Sequence, residues 1–183
     1  MWKCLVLPAL LTLGALVAGP GAASDAGAAD PRYPWGAGME AVSGQGDLII
    51  ETPRRRTLHT QWRGLPVTVN QRFEDGGLYQ VRYFNRAGHA EPKAFVRDFR
   101  RLRRELEAVY GEPERIVRDW RSERLREQAD KEGMALAGGK LSLLVAWETA
   151  SARLVMTLQR EHMALAHQVV VTDPAHEAPE TRP

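Results

Sequence analysis

"FVRDFRRLRRELEAVYGEP", residues Phe95 to Pro113, places five arginines within eight positions and ends on a glycine. Two readings compete for it: a cationic surface for a phosphate-bearing partner, or the wet side of a helix whose other side is core. Phe95, Phe99, Leu102, Leu106 and Val109 recur at spacings of four, three, four and three, which is one stripe of an α-helix. Burying each of those side chains contributes roughly 1.5 to 3 kcal/mol, against about 0 to 1 for an exposed arginine pair, so the apolar stripe decides the helix. Glu91 and Pro92 suit its start, Gly111 and Pro113 its stop. Arg97, Arg100, Arg101, Arg103 and Arg104 fill the remaining arc and are the candidate binding surface. Glu105 and Glu107 follow Arg101 and Arg103 by four residues, which partly neutralises the arc from within.

Working outward, the period changes from helical to two. Before the helix, "TLHTQW" sets Leu58, Thr60 and Trp62 on one face, "VTVNQRF" sets Val67, Val69 and Phe73, and "LYQVRYF" sets Tyr79, Val81 and Tyr83. The Asp-Gly pair inside "EDGG", Glu74 to Gly77, signals a tight hairpin between the last two. Earlier, "WGAGMEAVSG" reads as a turn and a short helix around Met39 to Val42, "DLIIETP" as a short apolar strand, and Arg54 to Arg56 as the turn after Pro53. After the helix, "ERIVRDW" reads as a strand. "SERLREQADKEG" reads as a charged helix capped by Ser122, with Leu125 and Ala129 as its apolar side, and "MALAGG" as a flexible connector. Three strands close the pattern: "LSLLVAWET", "RLVMTLQR" and "LAHQVVVT", the last placing Leu165, His167, Val169 and Val171 on a common side. The expected architecture is α+β and two-layered, an antiparallel sheet of roughly six to seven strands with one long amphipathic helix packed on a face. The two halves share a loose helix-then-strands plan.

The ends read differently. "MWKCLVLPALLTLGALVAGPGAAS" has one charge at Lys3, an apolar run from Leu5 to Val17 broken by Pro8 and Gly14, and small residues at Gly21, Ala22 and Ala23. This is the pattern of a secretory signal peptide, residues 1–23, and it is too short and interrupted for the roughly 20 apolar residues that span a bilayer. Cleavage is expected after Ala23, with a second candidate after Ala28. The mature protein would then be periplasmic or secreted, with no transmembrane anchor. Residues 24–34 read as a flexible lead-in, 35–172 as a single domain, and 173–183 as a proline-rich disordered tail. Cys4 is the one cysteine and would leave with the leader, so disulfides, thiolate metal sites and cysteine nucleophiles are excluded together in the mature chain.

Charge excludes less. Lys+Arg is 25 against Asp+Glu 23, a balance that gives no support to nucleic acid as a partner. Lysine occurs only at Lys3, Lys93, Lys131 and Lys140, an arginine preference that a GC-rich genome explains as readily as phosphate binding does. Trp62 with Arg63, Tyr79 with Arg82 and Tyr83, and Trp120 with Arg118 and Arg121 read as core aromatics with arginines at the rim, in preference to a base- or sugar-stacking platform. His59, His89, His162, His167 and His176 lack metal-ligand spacing; Glu161, His162 and His167 are the trio nearest to a weak metal site. Ser43, Ser122, Ser142 and Ser151 sit in no nucleophile motif, and "SGQGDL" lacks the lysine and the following helix of a phosphate loop. No catalytic, metal or cofactor-binding residue is assigned.

"PWGAGMEAV", "FEDGGLYQVRYF", "FVRDFRRLRRELEAVYGEPE" and "VAWETASARLVMTL" together resemble a broad set of small exported bacterial domains of uncharacterised function. Their plan is similar to the β-lactamase-inhibitor-protein fold and, more loosely, to the small outer-membrane assembly lipoproteins. The resemblance covers about Trp35 to Leu158 and is carried by a turn, a hairpin and a helix stop. It implies a non-catalytic binding or envelope-associated module whose partner is a protein or a cell-envelope component. It carries over no catalytic residue, and the lipidation cysteine of the assembly lipoproteins has no counterpart after the apolar run here. Two other functions stay open at this level: a periplasmic hydrolase built on a carboxylate with His59 or His167, and a binder of anionic lipid or polysaccharide.

Overall fold

Two-residue turns set the twist of the first half of the sheet. Asp75 and Gly76 both take positive φ, 49° and 82°, which is the geometry of a type I′ turn and matches the twist of the strands it joins. Arg63 and Gly64 do the same one hairpin earlier, at 49° and 71°. The computed structural model describes residues 34–42, 44–128 and 131–176. The expected signal peptide, the lead-in up to Tyr33, Ser43, Ala129 and the tail from Glu177 lie outside the described residues.

After a 3-10 turn at Met39–Ala41 the strands β1 (Asp47–Thr52), β2 (Arg55–Trp62), β3 (Leu65–Glu74) and β4 (Gly77–Asn85) run as an antiparallel meander. Helix α1 (Pro92–Tyr110) then carries the chain to the far edge, where β5 (Arg115–Trp120) begins. The short helices α2 (Glu123–Arg126) and α3 (Glu132–Ala137) follow, and β6 (Leu141–Glu148), β7 (Arg153–Glu161) and β8 (Ala164–Thr172) return to the centre. The sheet is continuous in the order β1-β2-β3-β4-β8-β7-β6-β5. It therefore has eight strands where roughly six to seven were expected. The two edge strands fall on segments read as strands: β1 is exposed along its whole length and β5 nearly so, and each pairs with one neighbour, β1 with a register shift between Leu48 and Ile50. The last strand of each half meets at the centre, Tyr83 on β4 opposite Val169 on β8, so the two helix-then-strand halves sit back to back.

One face of the sheet, the inner face, packs against α1. Val69, Tyr83, Val169, Met156 and Val145 form a row across it, each 2% exposed or less, and Phe99, Leu102 and Leu106 of α1 belong to the same core. The helix stripe is turned slightly from the expected one. Val96 and Tyr110 are buried, Phe95 is half-buried, and Val109 is 39% exposed. A helix advances about 100° per residue, so Val109 and Tyr110 fall on opposite flanks of the stripe and only one can face the sheet. Gly111 ends the helix at φ 81°; its N–H donates to Glu107 O, and its carbonyl accepts from Trp147 Nε1 at 3.0 Å, which ties the helix end to β6.

Two further readings are corrected. Arg55 and Arg56 belong to β2, leaving Pro53 and Arg54 as the turn. The charged segment is two short helices, and the expected connector at Met134 to Ala137 lies in α3, whose Ala135 and Leu136 are fully buried. That helix abuts the start of α1 so closely that a Cβ on Gly133 would stand 3.0 Å from Lys93 N. Past β8, Arg153 Nη2 donates to the carbonyls of Pro174 and His176, and His176 stacks on Tyr79 at 4.1 Å.

Candidate binding surfaces

The arginines of α1 are largely engaged by the protein's own groups. Arg101 Nη1 donates to Arg63 O at 2.8 Å and to Glu105 at 2.9 Å, and Arg103 Nε donates to Glu107 at 2.7 Å. Both glutamates are the i+4 partners that the sequence offers. Arg100 has a partner that spacing does not reveal. It and Arg118 of β5 each donate to one oxygen of Glu132, a carboxylate only 8% exposed at the head of α3. Arg97 and Arg104 are exposed and make no hydrogen bond or ion pair to any described residue. Of the five expected binding arginines, Arg100, Arg101 and Arg103 are engaged within the protein, and Arg97 and Arg104 are exposed. Arg100, Arg103 and Arg118 rim a shallow cleft of about 60 Å3 over Phe99, Ile116 and Leu143.

The outer face of the sheet is organised differently. Register places Arg55 directly opposite Arg72, Arg72 opposite Gln80, Gln80 opposite Thr172, and Thr172 opposite Arg153. Arg82 stands two residues beyond Gln80 on β4, and so on the same face. Its Nε donates to Gln80 Oε1 at 2.6 Å, and Arg72 Nη1 lies 3.5 Å from that same oxygen. Gln80 Nε2 in turn donates to Thr172 Oγ1 at 3.2 Å. Two guanidiniums thus converge on one neutral acceptor, and no described carboxylate lies within ion-pair distance of Arg55, Arg72 or Arg82. Burial, followed by repulsion from Arg72, holds the Arg82 pKa below the ordinary arginine value. Arg72 also lies over the Tyr79 ring, 5.7 Å from its centroid, while His176 covers that ring by stacking. Beside it a cleft of about 270 Å3 is lined by Arg54, Arg72, Phe73, Glu74, Asp75 and Tyr79. Sequence reasoning missed this cluster because its members are 17 and 10 residues apart and only strand register brings them together.

The histidines do not converge. His59 is half-buried on the outer face of β2, His162 is exposed in the β7–β8 turn at φ 54°, and His167 is 2% exposed on the inner face of β8. The trio Glu161, His162 and His167 is therefore not assembled. His167 instead meets Asn85, whose Nδ2 lies 3.3 Å from Nδ1, and the Phe99 ring at 5.6 Å. Asn85 Oδ1 accepts from Ala87 N–H at 2.8 Å, which turns the amide nitrogen towards the imidazole. Nδ1 is then the acceptor and Nε2 carries the proton, buried with no hydrogen-bond partner among the described residues. Burial pushes the His167 pKa down to about 4; Asp98 opposes the shift, while Arg101 and His89 add to it. His89 Nε2 lies 2.6 Å from Asp98 on α1. The cavity beside His167 measures about 10 Å3, the room of one water, and admits no substrate. Among the described residues no group of three or more His, Cys, Asp or Glu is placed to hold a metal ion, and no helix is long and apolar enough to cross a membrane.

The interleaved aromatics divide. Trp62 and Tyr83 are buried and stacked at 3.9 Å, with Arg63 5.6 Å from the Trp62 centroid. Tyr79 and Trp120 remain half-exposed. No protein-family model, curated protein or solved structure matches the chain.

Proposed function

We propose that the chain is an exported, non-catalytic binding module, and that it engages a protein or cell-envelope component through the outer face of its sheet. One observation carries this reading. Helices α1 and α3 place Phe99, Leu102, Leu106, Ala135 and Leu136 in the core on the inner face, and Leu125 of α2 packs against that core, so no described helix lies over the outer one. Antiparallel sheets do expose one face, but that face is then polar. Here it combines Val155, 37% exposed, and the half-buried Val117, Leu144, Val170 and Phe84 with arginines that have no acid to pair with. A mixed apolar and cationic surface of this kind is characteristic of recognition. Export rests on the leader sequence and predicts a mature chain that starts at Ser24 or Ala29.

A photocrosslinking residue at position 155, in cells of the source organism, tests the surface. A discrete adduct at 155 that is absent with the same residue at 97 or 104 supports the sheet face. Adducts at 97 and 104 alone would transfer the function to the helix arc. Amino-terminal sequencing of the chain recovered outside the cytoplasm checks the export step.

A further inference from the structure

We propose that Arg72 and Arg82, converging on Gln80 and backed by Arg55, form a site for a phosphate-type oxyanion on the outer face of the sheet. The inference deepens the reading of that face as the binding surface by naming the chemical group recognised. Like charges directly opposite on adjacent strands destabilise a sheet, and Arg55 faces Arg72 in that way. Arg82 adds a third guanidinium on the next strand, and the acceptor common to Arg72 and Arg82 is the neutral Gln80 amide. On the inner side of the molecule, by contrast, Arg100, Arg101, Arg103 and Arg118 are matched with acid at Glu105, Glu107 and Glu132. An uncompensated cluster therefore costs stability in the free protein, and an anion bound there removes the cost.

Geometry favours phosphate over carboxylate. The donors come from three successive strands and so approach from several directions; a tetrahedral ion offers acceptor oxygens to all of them, whereas a planar carboxylate satisfies one guanidinium fork. Arg72 is pre-set by Tyr79, itself held by the His176 stack, which reduces the ordering that binding requires. Arg72 also lines the adjoining cleft, together with Arg54, Tyr79, Glu74 and Asp75. The cleft, about 270 Å3, leaves room for whatever the phosphate is attached to.

Thermal melts of the mature chain at constant ionic strength, with inorganic phosphate exchanged for chloride, test the site. The wild type is expected to gain about 5 °C at phosphate ten times above its dissociation constant. Arg72→Gln and Arg82→Gln are expected to lose that gain. In chloride alone Arg82→Gln should melt at or above the wild type, because a repulsive pair has been relieved; this keeps the test independent of misfolding. Arg97→Gln with Arg104→Gln should retain the full gain. An unmoved wild type, or a gain that survives in the Arg72→Gln, Arg82→Gln double variant, overturns the site while leaving the crosslinking test of the sheet face untouched. Vesicles carrying phosphatidic acid decide the source: retention that free phosphate competes away assigns a lipid headgroup, and phosphate stabilisation without retention assigns a soluble phosphate.

Discussion

His167 makes stability depend on pH in a way that can be calculated. In the fold its imidazole is neutral, with a pKa near 4 against 6.5 for an unhindered histidine. Above pH 6.5 neither the folded nor the unfolded chain binds the proton, and the residue contributes nothing to pH dependence. As pH falls below that value the unfolded chain takes up a proton that the folded one refuses, so stability is lost until the folded form titrates as well. The lowering from 6.5 to about 4 corresponds to about 3 kcal/mol in the low-pH limit, with about 1 kcal/mol already lost near pH 5.5. The charged groups facing the ring decide how closely this holds. Asp98 on α1 would favour the charged ring, while Arg101 on α1 and His89 before it oppose that charge, and burial outweighs them all. His167→Gln removes the titration while leaving an amide opposite Asn85.

The assay is urea denaturation of wild type and His167→Gln from about pH 8 down to about pH 4.5, read as the difference between the two proteins at each pH. Carboxylates common to both cancel in that difference. The expected difference is flat above pH 7 and moves against the wild type by about 2 to 3 kcal/mol at pH 4.5. A difference independent of pH over that range would show that the folded protein accepts the proton on His167 with ease, and would refute its burial as a neutral ring.

Three further outcomes follow from packing. Leu106→Ala should cost about 2–5 kcal/mol in denaturant melts and Val109→Ala less than about 0.5, because one faces the core and the other water; equal losses would mean that α1 is rotated. Glu132→Ala should cost about 1–3 kcal/mol by leaving Arg100 and Arg118 without their shared carboxylate, whereas Arg100→Ala, which leaves Arg118 in place, should cost less than about 1 kcal/mol. Ile49→Lys on β1 should leave the melting temperature within a few degrees and reduce concentration-dependent light scattering, since Leu48, Ile49 and Ile50 form an exposed apolar edge able to pair with another chain.

Much of the architecture is legible because it is local. The Phe99–Leu102–Leu106 stripe, the alternation in β3 and β6, and the Asp75–Gly76 turn each need only a few consecutive residues to declare themselves. The helix α3 is not legible for the same reason. Six residues bury only Ala135 and Leu136 among their apolar side chains, and the following Gly138 and Gly139 read as a loop; its helical state is imposed by contact with α1 and the sheet. Edge position is also hidden, even where the strand itself is legible. β1 offers a short apolar run with no solvent-facing alternation, and nothing in that run tells how many partners it has.

The candidate site follows the same division, and this accounts for its displacement from helix to sheet. On a helix, partners lie four residues apart, so Arg101–Glu105 and Arg103–Glu107 can be read directly, and their effect is to neutralise the arc that draws the eye. On a sheet, neighbours are set by register: Arg55, Arg72 and Arg82 belong to three strands joined by two turns. A run of arginines in sequence is thus a poor guide to free positive charge, because a helix supplies acids at fixed offsets while adjacent strands need not. Strand pairing brings Arg72 and Arg82 together with no acid between them, and the acceptor they share among the described residues is the Gln80 amide. Such an arrangement weakens the free fold, and a bound anion is the physical circumstance under which it becomes favourable.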